Sequence, residues 1–242
     1  MAKPTIDSFA RDVTQALGER LVSLVLYGST ARGTHVPDRS DVNTVLVIDR
    51  VDDNLFARLD PAVRAWTRAG HPAPLIFTER EWRESADVFP IEYEDMRQHH
   101  QVLAGRDPWL GVTVRWEEMR HQLEGELVGK LVRVRQAYAA LRGDPKRLAQ
   151  VIAGSVGGFL TMLRAALRLA GKTPPAAATA LVEQAGTVMG FPAASLRPLV
   201  SHAAGERTLK LTSGDPLPAA YLLAVERAAE FVDQLTQRKE SQ

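Results

Sequence analysis

Residues 21–49 read LVSLVLYGSTARGTHVPDRSDVNTVLVID, and this stretch decides the fold. The apolar runs at 21–27 and 44–49 each have the length of a buried strand. The first run stops at Gly28-Ser29. Glycine has no Cβ, so a phosphate can approach the backbone closely, and the N-terminus of a following helix favours an anion. The sequence therefore predicts a phosphate-binding loop directly after the first strand.

Asp41 and Asn43 lie two residues apart at the head of the second predicted strand. Because side chains alternate along a strand, both are expected to project from the same face of the sheet. Two oxygen ligands beside a phosphate-binding loop form a suitable place for Mg²⁺ and a nucleotide. We therefore take Asp41 and Asn43 as candidate metal ligands and candidate catalytic residues.

The elements around this stretch predict a layered α+β domain. Apolar residues at helical spacing before residue 18 predict a first helix that ends at Gly18, and a second helix is predicted over 53–69. A third strand is predicted at 73–78 and a possible fourth at 89–96. Strands interleaved with helices favour a sheet with flanking helices.

The pattern becomes wholly helical after Pro108. The predicted helices cover 115–142, 146–170, a segment that begins at Thr173-Pro174, 193–204 and 217–238. We predict two domains, an α+β core at 1–110 with a mixed sheet and flanking helices, and an all-helical bundle at 111–242.

Composition narrows the functional classes. The 242 residues are 45% hydrophobic and 24% charged, which excludes a disordered chain, and the net charge of +1 gives no reason to expect a dedicated nucleic-acid binder. Cysteine is absent, so disulfides, thiolate chemistry and Cys-based zinc sites are excluded. The N-terminus lacks the apolar run of a secretory signal, and no 18 apolar residues run together. We expect a soluble cytoplasmic protein without a membrane partner, and its oligomeric state is left open.

The segment YGSTARG (27–33), followed by Arg-Ser-Asp (39–41) and a strand, resembles the signature of the polymerase-β-like nucleotidyltransferase superfamily. That signature runs Gly-Ser, about ten residues, then Asp-x-Asp. The helical second half resembles the antibiotic-modifying branch and its bacterial relatives, and QVLAGRDPW (101–109) resembles their junction between core and bundle. The resemblance covers about residues 20–110 and implies the nucleotidyltransferase fold for the core.

The resemblance also implies an activity. A nucleoside monophosphate would pass from a Mg²⁺-bound nucleoside triphosphate, such as ATP, to a hydroxyl acceptor that is a small molecule. Gly28 and Ser29 would hold the triphosphate, and Asp41 would bind the metal.

Three basic residues are candidate phosphate ligands. Arg32 and Arg39 bracket the predicted loop and could bind an anion, although arginines in a polar loop are commonly solvated. Relatives present a lysine from the first long helix of the bundle to the nucleotide, which implies this role for Lys130. The alternative is a lysine that lies along the flank of the apolar stripe and extends to water.

Two departures from the family pattern favour an alternative function. Asn43 stands where the family has a second metal-binding aspartate, and the predicted strand 73–78, with Ile76 near the aligned position, has no carboxylate. Carboxylates elsewhere in the chain could compensate for these two departures, but spacing does not select among them. The candidates are Glu92, Glu94, Asp95, Glu124 and Glu126. The alternative is a catalytically inactive module of this fold that binds a nucleotide or a protein partner.

Overall fold

The computed structural model describes residues 4–34 and 41–239. The chain consists of two compact units, Met1–Val114 and Arg115–Gln242. The first unit is α+β and the second is helical.

Four strands form the mixed sheet of the first unit. They are β1 (Leu21–Tyr27), β2 (Asn43–Ile48), β3 (Leu75–Thr78) and β4 (His100–Gly105). The order across the sheet is β3-β2-β1-β4. Strand β1 pairs antiparallel with both β2 and β4, whereas β2 and β3 run parallel. The parallel pair is possible because a helix connects its two strands.

Two helices pack on one face of this sheet, which we call the helix face. They are α1 (Ile6–Leu17), capped by the side chain of Thr5, and α2 (Asp53–Arg68), capped by Asp52. The buried side chains of this layer are apolar: Phe9, Val13, Leu17, Leu24, Leu46, Ile48, Leu55, Leu59, Ala62 and Trp66. The predictions of β1, β2 and α2 are confirmed to within one or two residues at each boundary, and the first helix ends at Gly18 as predicted but begins only at Ile6.

The opposite face, which we call the aromatic face, is covered by α3 (Glu79–Glu84) and α4 (Pro90–Gln98). Trp82 lies at its centre and is only 1% exposed. The indole Nε1 of Trp82 donates a hydrogen bond to the carbonyl oxygen of Pro108 at 3.0 Å, and its own carbonyl accepts one from the Tyr93 hydroxyl at 2.8 Å. These bonds connect both helices to the segment that follows the sheet.

The prediction of a fourth strand at 89–96 is wrong, because this segment forms α4 and the fourth strand lies at His100–Gly105. Phe89, Ile91 and Tyr93 alternate with polar residues and imitate a strand. Pro90 decides the outcome, since proline lacks an N–H for a strand ladder but suits the first turn of a helix.

The second unit contains five α-helices among its described residues. They are α5 (Trp116–Leu141), α6 (Pro145–Leu169), α7 (Ala178–Met189), α8 (Arg197–Ala203) and α9 (Leu217–Lys239). The prediction that a helix starts at Thr173-Pro174 is wrong, because α7 starts at Ala178. Pro175 explains the delay, since a proline disfavours helical geometry in the residue before it.

One helix of the described chain, α6, is long and apolar enough to cross a membrane by length and composition. In its most apolar window, 56% of the residues are buried inside the protein. This burial is typical of the central helix of a helical domain, and it makes α6 weak evidence for a membrane span.

We predict that Trp82→Phe lowers the free energy of unfolding of the first unit by about 2 kcal/mol more than Trp66→Phe does. Both indoles are buried, so both substitutions lose similar volume. Only Trp82 donates a hydrogen bond, whereas Trp66 Nε1 is buried without an acceptor. Chemical denaturation of both variants measures the difference, and equal losses would show that the Pro108 bond contributes nothing.

Candidate functional site

The pairing of β1 with β2 builds the candidate site. Tyr27, the last residue of β1, pairs with Asn43, the first residue of β2. Gly28 follows directly, with a positive φ of 80° that favours glycine. A Cβ on Gly28 would lie 3.3 Å from Asn43 Nδ2. The structure thus brings the predicted phosphate-binding glycine into contact with the predicted metal-binding residue.

Residues 28–34 form a single tight turn. The N–H of Arg32 donates to the carbonyl oxygen of Gly28 at 3.1 Å, and the N–H of Thr34 donates to that of Ser29 at 2.9 Å. A further bond runs from Gly33 to Thr30 at 3.1 Å. None of these three bonds uses the N–H of Ser29, so that group stands at the start of the turn as the first N–H groups of a helix do. N–H groups at the start of a helical turn are suited to binding a phosphate.

Arg32 contributes a buried cation to this turn. Its Nη1 lies 2.6 Å from the Oδ2 of Asp95 on α4, and the two side chains are 9% and 13% exposed. Arg32 Nε is buried and has no hydrogen-bond acceptor among the described residues. Arg32 is therefore not a solvated loop arginine: one part of its guanidinium holds a carboxylate, and its buried Nε–H has no acceptor among the described residues.

Asp41 and Asn43, the two candidate oxygen ligands, lie at the start of β2. Asp41 is exposed, and the side chain of Asn43 is partly buried. No group of three His, Cys, Asp or Glu side chains in residues 4–34 and 41–239 is arranged to hold a metal ion. Mg²⁺ is commonly bound through one or two carboxylates together with substrate phosphates. Asp41 and Asn43 therefore suit a Mg²⁺ ion that arrives with a triphosphate better than a free ion.

The face of the sheet that carries Asn43 continues with apolar side chains. Val45 and Val47 follow Asn43 at alternate positions and belong to the aromatic face. In the parallel pair they lie opposite Leu75 and Phe77 of β3. Ile76, the position that the sequence comparison with the family had indicated, packs in the core of the helix face instead. The residues on β3 that share the face of Asn43 are therefore Leu75 and Phe77, and neither is acidic.

Three of the other carboxylates proposed as substitutes have local partners. Glu94 accepts hydrogen bonds from Arg97 and Gln98 on its own helix. In the second unit, Glu124 pairs with Arg120, and Glu126 accepts a bond from Gln122. Asp95 differs from these three because it pairs with a residue of the turn at 28–34. The sequence placed Asp95 on a strand and offered no spacing signal across the 63 residues that separate it from Arg32.

Two further residues were predicted as phosphate ligands, Arg39 and Lys130. Arg39 lies outside the described residues. Lys130 belongs to the second unit and is buried, with 7% exposure, in the stripe that Leu127 and Val134 form on α5. Its Nζ donates to the carbonyl oxygen of Ser155 at 3.0 Å, so Lys130 does not extend along the flank to water. Its role at a nucleotide stays a prediction.

Residues 6–103 match the family model of the nucleotidyltransferase domain. This range contains the four-stranded sheet almost completely, the turn at 28–34 and the Asp41–Asn43 pair. The N-terminal unit of this chain belongs to the polymerase-β-like nucleotidyltransferase superfamily. No curated protein matches the chain.

We predict that Gly28→Ala weakens nucleotide binding, whereas Gly33→Ala does not. Both glycines have positive φ, so each alanine variant is expected to lose about 1 kcal/mol of stability. Only the Cβ at Gly28 meets Asn43, since a Cβ at Gly33 has open space around it. Calorimetric titration of ATP with Mg²⁺, together with thermal unfolding, separates the two effects. Equal affinities of both variants for Mg²⁺-ATP would show that the contact with Asn43 does not affect nucleotide binding.

We predict that Asp95→Asn lowers the free energy of unfolding by about 3 kcal/mol, because it leaves the buried Arg32 cation without a counter-charge. The matched control is Asp60→Asn, which breaks an ion pair with Arg64 whose side chains are 57% and 54% exposed. Exposed pairs contribute little, so no measurable change is expected there. Urea denaturation provides the comparison, and an equally small loss in both variants would contradict the structural role of the buried pair.

Proposed function

We propose that the N-terminal unit binds a Mg²⁺-bound nucleoside triphosphate and has lost the capacity to transfer the nucleotide. The single observation that carries this proposal is the register of β2 and β3. It puts Leu75 and Phe77 beside Val45 and Val47, on the face where a carboxylate of β3 would have to lie. A wall without charge cannot accept a proton from an attacking hydroxyl.

The binding half of the proposal rests on the turn at 28–34. Gly28 lets the backbone approach a phosphate, the start of the turn offers N–H donors, and Arg32 supplies a cation with an N–H that has no acceptor. Asp41 and the amide oxygen of Asn43 would hold Mg²⁺, which neutralises phosphate charge when it is bound. Because one of these two ligands is neutral, the metal would depend mainly on the phosphates for its affinity.

The second candidate is nucleotidyl transfer to the hydroxyl of a small molecule, and the position of Asp95 favours it. Its carboxylate already lies 2.6 Å from a residue of the turn at 28–34. In this second candidate, Asp95 supplies the negative charge that β3 lacks. Binding of a phosphate to Arg32 would weaken the ion pair and release the carboxylate to accept the proton of the acceptor hydroxyl.

The deciding experiment titrates ATP and GTP, with and without Mg²⁺, into the wild type, Asp41→Asn and Asp87→Asn. Asp87 is an exposed aspartate of the same unit and serves as the charge-matched control. We expect Mg²⁺-dependent binding that is at least about tenfold weaker in Asp41→Asn and unchanged in Asp87→Asn. No binding, or binding that is indifferent to metal and to Asp41, would overturn both candidates.

Pyrophosphate release then separates the two candidates. The wild type is incubated with Mg²⁺-ATP or Mg²⁺-GTP and a panel of hydroxyl-bearing small molecules. The first candidate predicts no release above background. Metal-dependent release that Asp95→Asn abolishes, with nucleotide affinity retained, would overturn the first candidate and support transfer.

A further inference from the structure

We propose that a cavity inside the helical unit binds a small carboxylate with an apolar body, of about the size of benzoate. The cavity has a volume of about 140 Å³ and lies among α5, α6 and the start of α9. Its lining is Lys130, Arg133, Val134, Ala137, Tyr138, Leu148, Val151, Ile152, Ser155 and Pro218. Engineered cavities of similar volume hold one benzene-sized molecule.

Lys130, one of the residues that line this cavity, defines the ligand's charge. Lys130 occupies a core position of α5, where its neighbours on the stripe are Leu127 and Val134. Burial lowers the pKa of Lys130, the nearby positive charge of Arg133 lowers it further, and the negative charge of Glu126 one turn earlier on α5 partly opposes both effects. A buried ammonium that forms no ion pair is unfavourable, so Lys130 at a core position points to an anion as a partner.

The hydrogen bonds around Lys130 leave it able to bind that anion. Its Nζ has one acceptor, the carbonyl oxygen of Ser155, whereas an ammonium has three N–H donors. None of the ion pairs in the described part of the chain includes Lys130. A carboxylate in the cavity would accept the remaining N–H groups and supply the opposite charge.

The hydroxyl groups of Ser155 and Tyr221 contact each other beside the Ser155 carbonyl to which Lys130 donates. Ser155 Oγ donates to the carbonyl oxygen of Ile152 at 2.9 Å, so the Tyr221 hydroxyl is the donor in its 2.8 Å contact with Ser155 Oγ. Burial raises the pKa of Tyr221 to about 12, which keeps this hydroxyl protonated at neutral pH. The cation therefore has a fixed position at one side of the cavity.

The other walls define the ligand's apolar part and its entry. Val134, Leu148 and Ile152 are buried and offer only hydrocarbon to a ligand. Arg133 and Val151 are exposed, so the cavity opens to solvent on their side. A compact ring or branched chain fits these walls, with its carboxylate directed to Lys130.

The test measures binding of sodium benzoate to the full-length protein by titration calorimetry, with benzamide as the neutral probe of the same shape. We expect submillimolar benzoate binding to the wild type and at least about tenfold weaker binding of benzamide. Benzoate is also expected to raise the melting temperature by mass action. Absence of benzoate binding, or equal binding of benzamide, overturns the proposal.

Two pairs of variants locate the site. Lys130→Met removes the charge at similar volume, and Lys146→Met does the same at an exposed position. Ala137→Leu fills the cavity and keeps the lysine, whereas Ala139→Leu adds the same group to an exposed position of α5. We expect benzoate binding to be lost in Lys130→Met and Ala137→Leu and retained in both controls.

Circular dichroism checks that each variant is folded. Lys130→Met is expected to melt at or above the wild-type temperature, because it removes a buried charge. Retained benzoate binding in Lys130→Met or Ala137→Leu overturns the proposal. A Lys130→Met variant that loses affinity for Mg²⁺-ATP but keeps benzoate binding also overturns it, and assigns the lysine to the nucleotide. Failure of the N-terminal unit to bind ATP leaves this result unaffected.

Discussion

The antiparallel pairing of β1 with β2 is the constraint on which the candidate site depends. Because Tyr27 pairs with Asn43, the turn after β1 and the candidate oxygen ligands at the start of β2 meet at the same end of the two strands. The positive φ of Gly28 then lets the chain leave β1 without a side chain that would press on Asn43. A shift of one residue in this register would move Asn43 to the other face and separate the two halves of the site.

The same alternation limits what the site can do. Once Asn43 faces the aromatic layer, Val45 and Val47 must follow it there, and the parallel register assigns Leu75 and Phe77 to the same face. Strand β3 has only four residues, and none of them is acidic. A carboxylate can reach this region from another element, and α4 provides one through the contact of Asp95 with Arg32. The candidate binding residues and the candidate proton acceptor therefore lie in different elements, which is why our proposal can assign binding without catalysis.

Sequence periodicity predicted the helix face and the first two strands because their apolar residues repeat with the period of the element they form. It failed at α4, where a single proline outweighed an alternating pattern, and at Thr173-Pro174, where Pro175 delays the helix. Gly28, Ser29, Asp41 and Asn43 could be named from sequence because they are local to one strand–turn–strand unit. The Arg32–Asp95 contact could not, since nothing local relates two residues in different elements 63 positions apart. The core position of Lys130 was missed because a lysine interrupts the apolar stripe that it belongs to.

Arg32 and Lys130 show two ways in which this chain deals with a buried cation. The fold neutralises Arg32 with the carboxylate of Asp95, so its burial needs no ligand for charge balance. Lys130 has a backbone carbonyl and a cavity lined largely by hydrocarbon, but no carboxylate of the described chain forms an ion pair with it. Replacing such a lysine with an apolar residue would commonly cost the fold nothing. This is why we propose that the ammonium binds an anion, and the volume and walls of the cavity favour a small anion with an apolar body.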